Sequence, residues 1–386
     1  MVNCFFNTSI DLTIFGGART HTIEKISTFA RIKGIKAYLI CVKKDKKIDL
    51  NFSCYCPFFP FWRGFFYQFI FELWSIFFSF VFKIKYKNSI MFLRYRPLVF
   101  ISMVFCKYMG WKIVFEPNDN VIQQLKLYGK YKGLYKLLVD FCLYKCFNKA
   151  DYVICHSEKI KKWVESYNIK NSEKLIISSM GANPDIFYPK DSKEAKKKLR
   201  FLESDIIFLD TGTFTPWGGA DLLISAMNIL KNRNKIENKY LLLTGTGSNK
   251  EKLINQTEKF GLKNNVIFYN GIAYEKVPDF INAADLCFCL KKEFLDVTSP
   301  NRLFEYIFCN KPVALTKEYK IFFPLFKGLI FVSSYDANEV ADIMENFMSI
   351  VDYKLILHDY NIAITEYSWN SIVKKLIRNL KLQCVE

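Results

Sequence analysis

Histidine is scarce in this sequence of 386 residues, occurring only as His21, His156 and His358. The 12 cysteines include no paired C-x-x-C modules. Zinc modules draw their ligands from such clusters, so no metal site is expected. Cys54 and Cys56, like Cys287 and Cys289, are separated by a single residue, too close for an ordinary disulfide. The first residues, Met1 to Phe6, lack the basic stretch and long apolar run of an export signal. With scattered thiols, this points to a reducing cytosol. No repeat of solenoid length occurs either.

What is abundant is apolar. Hydrophobic residues make up 51% of the chain, enough to fill a core in each of two domains and to exclude extensive disorder. The 55 basic residues outnumber the 37 acidic ones, giving a net charge of +18. That excess favours an anionic partner: nucleic acid, an acidic lipid surface or a phosphorylated substrate. Part of it follows from a composition rich in Lys, Asn, Ile and Phe. The aromatics cluster at 57–82 and do not interleave with basic residues, which argues against a stacking platform for nucleic acid.

That cluster reads PFFPFWRGFFYQFIFELWSIFFSFVF from Pro57 to Phe82. It approaches the length of a spanning helix, but Arg63, Gln68 and Glu72 interrupt it, and Lys83, Lys85 and Lys87 follow. Aromatic rings beside lysines suit the water–lipid interface, so contact with an anionic membrane surface is expected in preference to a buried helix or a span.

Short β-branched or aromatic runs alternate with helical stretches, the pattern of βα units and parallel sheets. Candidate strands in the first half are Val2–Phe6, Ala37–Val42, Ile90–Leu93, Lys112–Glu116, Tyr152–Cys155 and Leu175–Ser178. In the second half they are Ile206–Asp210, Tyr240–Thr244, Val266–Tyr269, Leu286–Leu290, Pro312–Leu315 and Leu329–Val332. Between them, Met180 to Arg200 carries Gly181, Pro184, Pro189 and a charged run, which mark a domain boundary. Ile372, Leu376 and Leu380 give a terminal helix over Ser368–Leu382. Two α/β domains of similar size follow, with ligands expected at the carboxyl ends of their strands.

Four loops stand at such ends. Gly16 and Gly17 precede a helix, whose free N–H groups and positive dipole suit an anion; tight turns use paired glycines as well. Gly245-Thr246-Gly247 opens like a dinucleotide fingerprint, but Lys250 replaces its third glycine, leaving a turn capped at Ser248 as the alternative. Gly212-Thr213 begins a strand-to-helix join that continues to Trp217-Gly218-Gly219. Ser299-Pro300 reads as N-cap and first helical residue, with Arg302 and Glu305 on one helical face. Arg302 offers charge to a phosphate and Glu305 accepts from ribose hydroxyls; a surface salt bridge between the two is the alternative.

In this order the loops resemble those of the retaining GT-B glycosyltransferases of family 4, glycosyltransferase group 1, over nearly the whole chain. LLLTGTGSNKEKLI, VIFYNGIAYEKVPDFINAADLCFCL and SPNRLFEYIFCNKPVAL are similar to the family's nucleotide-binding half, and MGANPDIFYP to its interdomain connection. ADYVICHSEKIKKWV is similar to the last unit of its first domain, GGARTH to its glycine loop, and YSWNSIVKKLI to its terminal helix.

The resemblance implies two Rossmann-like α/β domains facing a central cleft: residues 1–185 on the acceptor side, 186–355 binding the nucleotide sugar, and 356–386 crossing back. It implies transfer, with retention and without a metal or other cofactor, from a nucleotide-diphosphate sugar to a glycan or lipid-linked acceptor. Cell-surface polysaccharide assembly at the inner face of the cell membrane is the setting it suggests. Gly16, Gly17, Gly212, Thr213, Ser299, Arg302 and Glu305 would line the donor. Glu116 corresponds to a cleft-facing position of the first domain and is, with Glu293, a candidate catalytic residue.

Two departures stand out. Val297 takes the place of the first of two glutamates eight positions apart, leaving Glu293 or Asp296 to stand in as the catalytic carboxylate. Thr213 and Gly218 replace an Arg and a Lys, leaving Arg302, Lys250 or Arg19 as cations for the diphosphate. An epimerase or hydrolase of the same fold and a non-enzymatic basic binding protein are the competing readings.

Overall fold

The computed structural model describes every residue except 15, 46–48, 58–64, 118–119, 170, 293–299, 334 and 383–386. The chain divides into two compact units, one holding residues 1–179 with Trp369 onward, the other 180–368.

The first unit runs β1 (Val2–Asn7), α1 (Gly17–Arg31), β2 (Ile35–Ile40), β3 (Ser53–Tyr55), α2 (Phe65–Lys85), β4 (Ser89–Arg94), α3 (Val99–Tyr108), β5 (Lys112–Glu116), α4 (Val121–Leu127), α5 (Gly133–Lys149), β6 (Tyr152–Cys155), α6 (Glu158–Glu165) and β7 (Leu175–Ile177). Its sheet is parallel throughout, in the order β3-β2-β1-β4-β5-β6-β7. Strands buried on both faces are apolar almost without interruption. β1 is the example: alternation sends Phe5 into a core with Met91, Ile113 and Phe115, and Cys4 and Phe6 into another with Ile90, Phe92 and Val114.

The second unit runs α7 (Ser192–Lys198), β8 (Ile206–Thr211), α8 (Ala220–Asn232), β9 (Lys239–Thr244), α9 (Lys250–Lys259), β10 (Val266–Tyr269), α10 (Val277–Ala283), β11 (Leu286–Cys289), α11 (Asn301–Phe308), β12 (Val313–Thr316), β13 (Ile330–Val332), α12 (Ala337–Ile350) and α13 (Tyr353–Tyr367). Its parallel sheet has the order β10-β9-β8-β11-β12-β13. The terminal segment is two helices. Ser368 is extended after α13, and α14 (Trp369–Asn379) belongs to the first unit. There Val373, Leu376, Ile377 and Leu380 fill one core with Ile26 and Phe29 of α1.

Every strand read from the sequence is present, with ends shifted by up to two residues. The strand not foreseen is β3, a three-residue edge strand too short to carry a period. In α2 the polar interruption has a structural role. Glu72 is fully buried, bonded to Arg96 (Nη2 to Oε2 3.0 Å) and to Ser102. The helix thus turns its polar side inward, while Phe66, Leu73 and Phe77 stand 69%, 51% and 59% exposed. By length and composition alone, α2 is one helix among the described residues that could cross a membrane.

Candidate functional site

In the second unit, strand order reverses between β8 and β11, and open parallel sheets bind ligands at the carboxyl ends flanking such a point. The loop after β8 holds Gly212 at φ 151°, a conformation reserved for glycine, with its backbone N–H donating to Thr244 O at 2.8 Å. A Cβ there would lie 2.8 Å from Arg302 Nη1. Arg302, in the first turn of α11, bonds the carboxylate of Asp210 and donates to Thr211 O at 2.6 Å. One turn on, the Tyr306 hydroxyl accepts from the Thr211 N–H at 2.8 Å. Arg302 and Tyr306 therefore pin α11 to the last residues of β8.

Burial pushes the Asp210 carboxyl up to about 6, only partly offset by Arg302. Burial also works against the Arg302 charge, but Asp210 more than restores it and holds the guanidinium pKa above its usual value. At neutral pH the pair is a charged one, fixed at the strand end.

Neighbouring loops close on this point backbone to backbone. A Cβ at Gly245 would overlap Gly212 O, one at Gly247 would overlap Phe214 O, and one at Gly219 would overlap the Leu290 side chain. Thr213 is exposed beside Gly212. Glu305 is half-buried on α11, one turn from Arg302. The partner of Arg302 is thus Asp210, which sequence spacing left out; a helical residue bonding a strand 92 positions earlier has no local signal. Lys250 opens α9 and donates to Asn270 Oδ1 at 2.5 Å. Two terminus readings change. Asn249, not Ser248, takes the N-cap of α9, and Pro300 sits extended at the N-cap of α11, whose first residue is Asn301. Ser299, Glu293 and Asp296 lie outside the described residues.

In the first unit Glu116 is the last residue of β5. Its Oε2 accepts from Lys25 Nζ of α1 at 2.7 Å, and its Oε1 lies 2.9 Å from His156 Nε2, just beyond β6. His156 Nδ1 lies 2.8 Å from Ser178 O. Both ring nitrogens thus lie within hydrogen-bond distance of an oxygen. His21 stacks edge-on against His156 and Trp369, with ring centroids 5.5 Å and 5.0 Å away. Burial pushes the His21 pKa well below 6.5, against the pull of Glu116. Burial alone would raise the Glu116 carboxyl; Lys25 and His156 outweigh it and hold it well below the usual range. Arg94, at the end of β4, donates to Thr22 Oγ1 at 2.8 Å beside this group.

His21, Glu116 and His156 present ligand atoms close enough together for a metal ion, but a cation there meets the Lys25 ammonium already bonded to Glu116. Gly16 caps α1 at φ 152°, and Gly17 is the first helical residue. Arg19 pairs with Asp45 at 3.2 Å. Lys25 and Arg94 were not singled out from the sequence; His21 and His156 stand within the quoted GGARTH and ADYVICHSEKIKKWV, but no spacing marked them as site residues.

Two family descriptions match this chain. "Glycosyltransferase Family 4" matches residues 15–186, and "Glycosyl transferases group 1" matches residues 191–352. Among solved structures, sucrose-phosphate synthase from Thermosynechococcus elongatus has a TM-score of 0.78 at 14% identity, over 99% of this chain and 98% of its own. The Anabaena protein HepE in complex with UDP-glucose gives 0.76 at 14%, over 99% and 100%. WaaG, a glycosyltransferase involved in lipopolysaccharide biosynthesis, gives 0.76 at 16%, over 98% and 100%. These establish a GT-B fold of two Rossmann-like units. An uncharacterized glycosyltransferase of Methanocaldococcus jannaschii is 25% identical over 57% of this chain, and the match spans 52%, about half, of that relative's length. Each unit thus carries a domain that matches a glycosyltransferase family, the first "Glycosyltransferase Family 4" and the second "Glycosyl transferases group 1".

Proposed function

We propose that this glycosyltransferase moves a sugar from a nucleotide-diphosphate donor to a glycan or lipid-linked acceptor, with retention at the anomeric carbon. The observation that carries the donor half is the Arg302 guanidinium, fixed by Asp210 over Gly212 at the switch point of the second sheet. A positioned planar cation beside exposed backbone suits a diphosphate. The Anabaena relative's complexes with UDP and UDP-glucose agree with such a donor. Glu305, one turn along, would accept from the ribose hydroxyls.

In the first unit Glu116 is a weak base, because Lys25 and His156 hold its proton affinity down. Its role here is positioning: it orients Lys25 and His156 at the carboxyl ends of the first unit's strands, the acceptor side in this reading. Glu293 and Ser299 keep the catalytic and donor-binding roles that the family resemblance gives them.

The setting proposed is cell-surface polysaccharide assembly, with the enzyme peripheral on the cytoplasmic face of an anionic membrane. The exposed apolar face of α2 supports that placement. Nuclear magnetic resonance of products formed from UDP-sugars would test the reaction. Transfer to an added glycan or lipid-linked acceptor, with the donor's anomeric configuration kept, is the expected result. An altered sugar released without acceptor would instead indicate an epimerase or hydrolase.

A further inference from the structure

The cysteines that spacing left unassigned come together in the fold. β2 and β3 pair in parallel with Leu39 opposite Cys54 and Ile40 opposite Tyr55, and the Cys41 N–H donates to Tyr55 O at 3.1 Å. Alternation then puts Cys41, Cys54 and Cys56 on one face of the sheet edge. Their sulfurs lie 3.5 Å (Cys41–Cys54), 3.4 Å (Cys41–Cys56) and 3.8 Å (Cys54–Cys56) apart. Cys41 is buried, while Cys54 and Cys56 are half-buried and reachable.

These separations have a specific meaning. Three thiolates bound tetrahedrally to one zinc, with bonds near 2.3 Å, stand about 3.8 Å from each other. Disulfide bonding would need about 2.05 Å, and two cysteines flanking one residue of an extended strand do not reach it. Three near-equal contacts in a triangle fit a shared cation better than any single pair. Soft sulfur donors select zinc or another thiophilic ion over calcium or magnesium.

We propose that Cys41, Cys54 and Cys56 form a thiolate zinc site that staples the edge strand β3 to β2. Among the described residues no fourth His, Cys, Asp or Glu atom joins the group, so water or an exogenous ligand completes the tetrahedron. The site spans the connection between β2 and β3, which carries Asp45 and, through it, the ion pair to Arg19 of α1. Holding both ends of that connection limits where Asp45 can place Arg19. The sequence could not reveal this site, because Cys41 precedes Cys54 by 13 positions and only the parallel pairing brings them together.

The test uses the full-length protein, purified with reductant and without chelator. Metal analysis should find one equivalent of zinc. After removal of metal, titration with Co2+ should give a sulfur-to-cobalt charge-transfer band that saturates at one equivalent and is lost when Zn2+ is added. Triple replacement, Cys41→Ser with Cys54→Ser and Cys56→Ser, should abolish the band, while Cys287→Ser should leave it. Should the triple variant not fold, alkylation of the wild type decides: zinc should protect these three thiols, identified by peptide mapping. Absence of the band at saturating Co2+, its survival in a folded triple variant, a lack of zinc protection, or a resting Cys41–Cys56 disulfide would each overturn the proposal.

Discussion

Arg302 lies against the bare backbone of Gly212, with its Nη1 2.8 Å from where a Cβ would stand. The contact depends on both residues: the glycine leaves the space, and the arginine fills it while bonding Asp210 and Thr211 O. An arginine whose position is set by a missing side chain is a sensitive reporter of the donor half.

Gly212→Ala should therefore displace Arg302 and strain a backbone at φ 151° that only glycine adopts freely. Strain of this kind costs roughly 1–3 kcal/mol. Affinity for a UDP-sugar should fall about tenfold or more by calorimetry, with the circular dichroism spectrum retained. Unaltered affinity would remove Arg302 from the donor site.

Glu305→Ala tests the ribose contact separately. Leaving two hydroxyls without their acceptor should weaken nucleotide binding by roughly 1–3 kcal/mol. The variant should lose affinity for UDP and UDP-sugar alike, since both carry the ribose. A folded variant that binds both as tightly as the wild type would refute the assignment.

The pH dependence has a definite sign at His21. Its folded pKa lies well below the ordinary 6.5, so below pH 6.5 the unfolded chain takes up a proton that the folded one refuses. Stability should accordingly be full above pH 6.5 and decline as pH falls below it. In His21→Gln this component should vanish. Urea unfolding of both proteins at several pH values would show it as a shallower acid-side slope in the variant; identical slopes would place the His21 ring in water.

What could be read from the sequence divides along physical lines. Strands such as Lys112–Glu116 and Tyr152–Cys155 were legible to the residue because both faces are buried, and the apolar run ends where the strand does. Gly212 and Arg302 were legible singly, as loop and helix-start residues. Their link through Asp210 was not, because it joins the end of β8 to α11 across the sheet. Glu72 is the reverse case: a charge that looked like an interruption of an apolar helix is the buried partner of Arg96. The half of the helix it leaves outside is the more apolar for it.

That outer face leads to the last prediction. Phe66, Phe69, Leu73, Phe77, Phe80 and Ile84 recur at helical spacing on α2 and are all exposed, while Trp74 and Phe71 on the opposite side pack in the core. α2 packs on α3, and α3 on α5, and these two helices carry exposed apolar residues of their own, Val104, Leu137 and Phe141. A monomer in water gains nothing from a patch of this kind, whereas a membrane interface removes it from water. Of the lysines that follow, Lys83 turns back to donate to Gly110 O at 2.8 Å; Lys85 and Lys87 stay exposed, each adding about 1 kcal/mol near an anionic surface. The protein should therefore float with liposomes, more strongly as acidic lipid increases and less as salt is added. Combined Phe66→Ser, Leu73→Ser and Phe77→Ser should release it while leaving the thermal transition nearly unchanged, because none of the three fills the core. Trp74→Ser should do the opposite, lowering stability by roughly 3–5 kcal/mol through the cavity it leaves. Undiminished flotation of the triple variant would assign membrane contact to another surface. Resistance of the wild type to alkaline carbonate extraction would mean that α2 spans the bilayer.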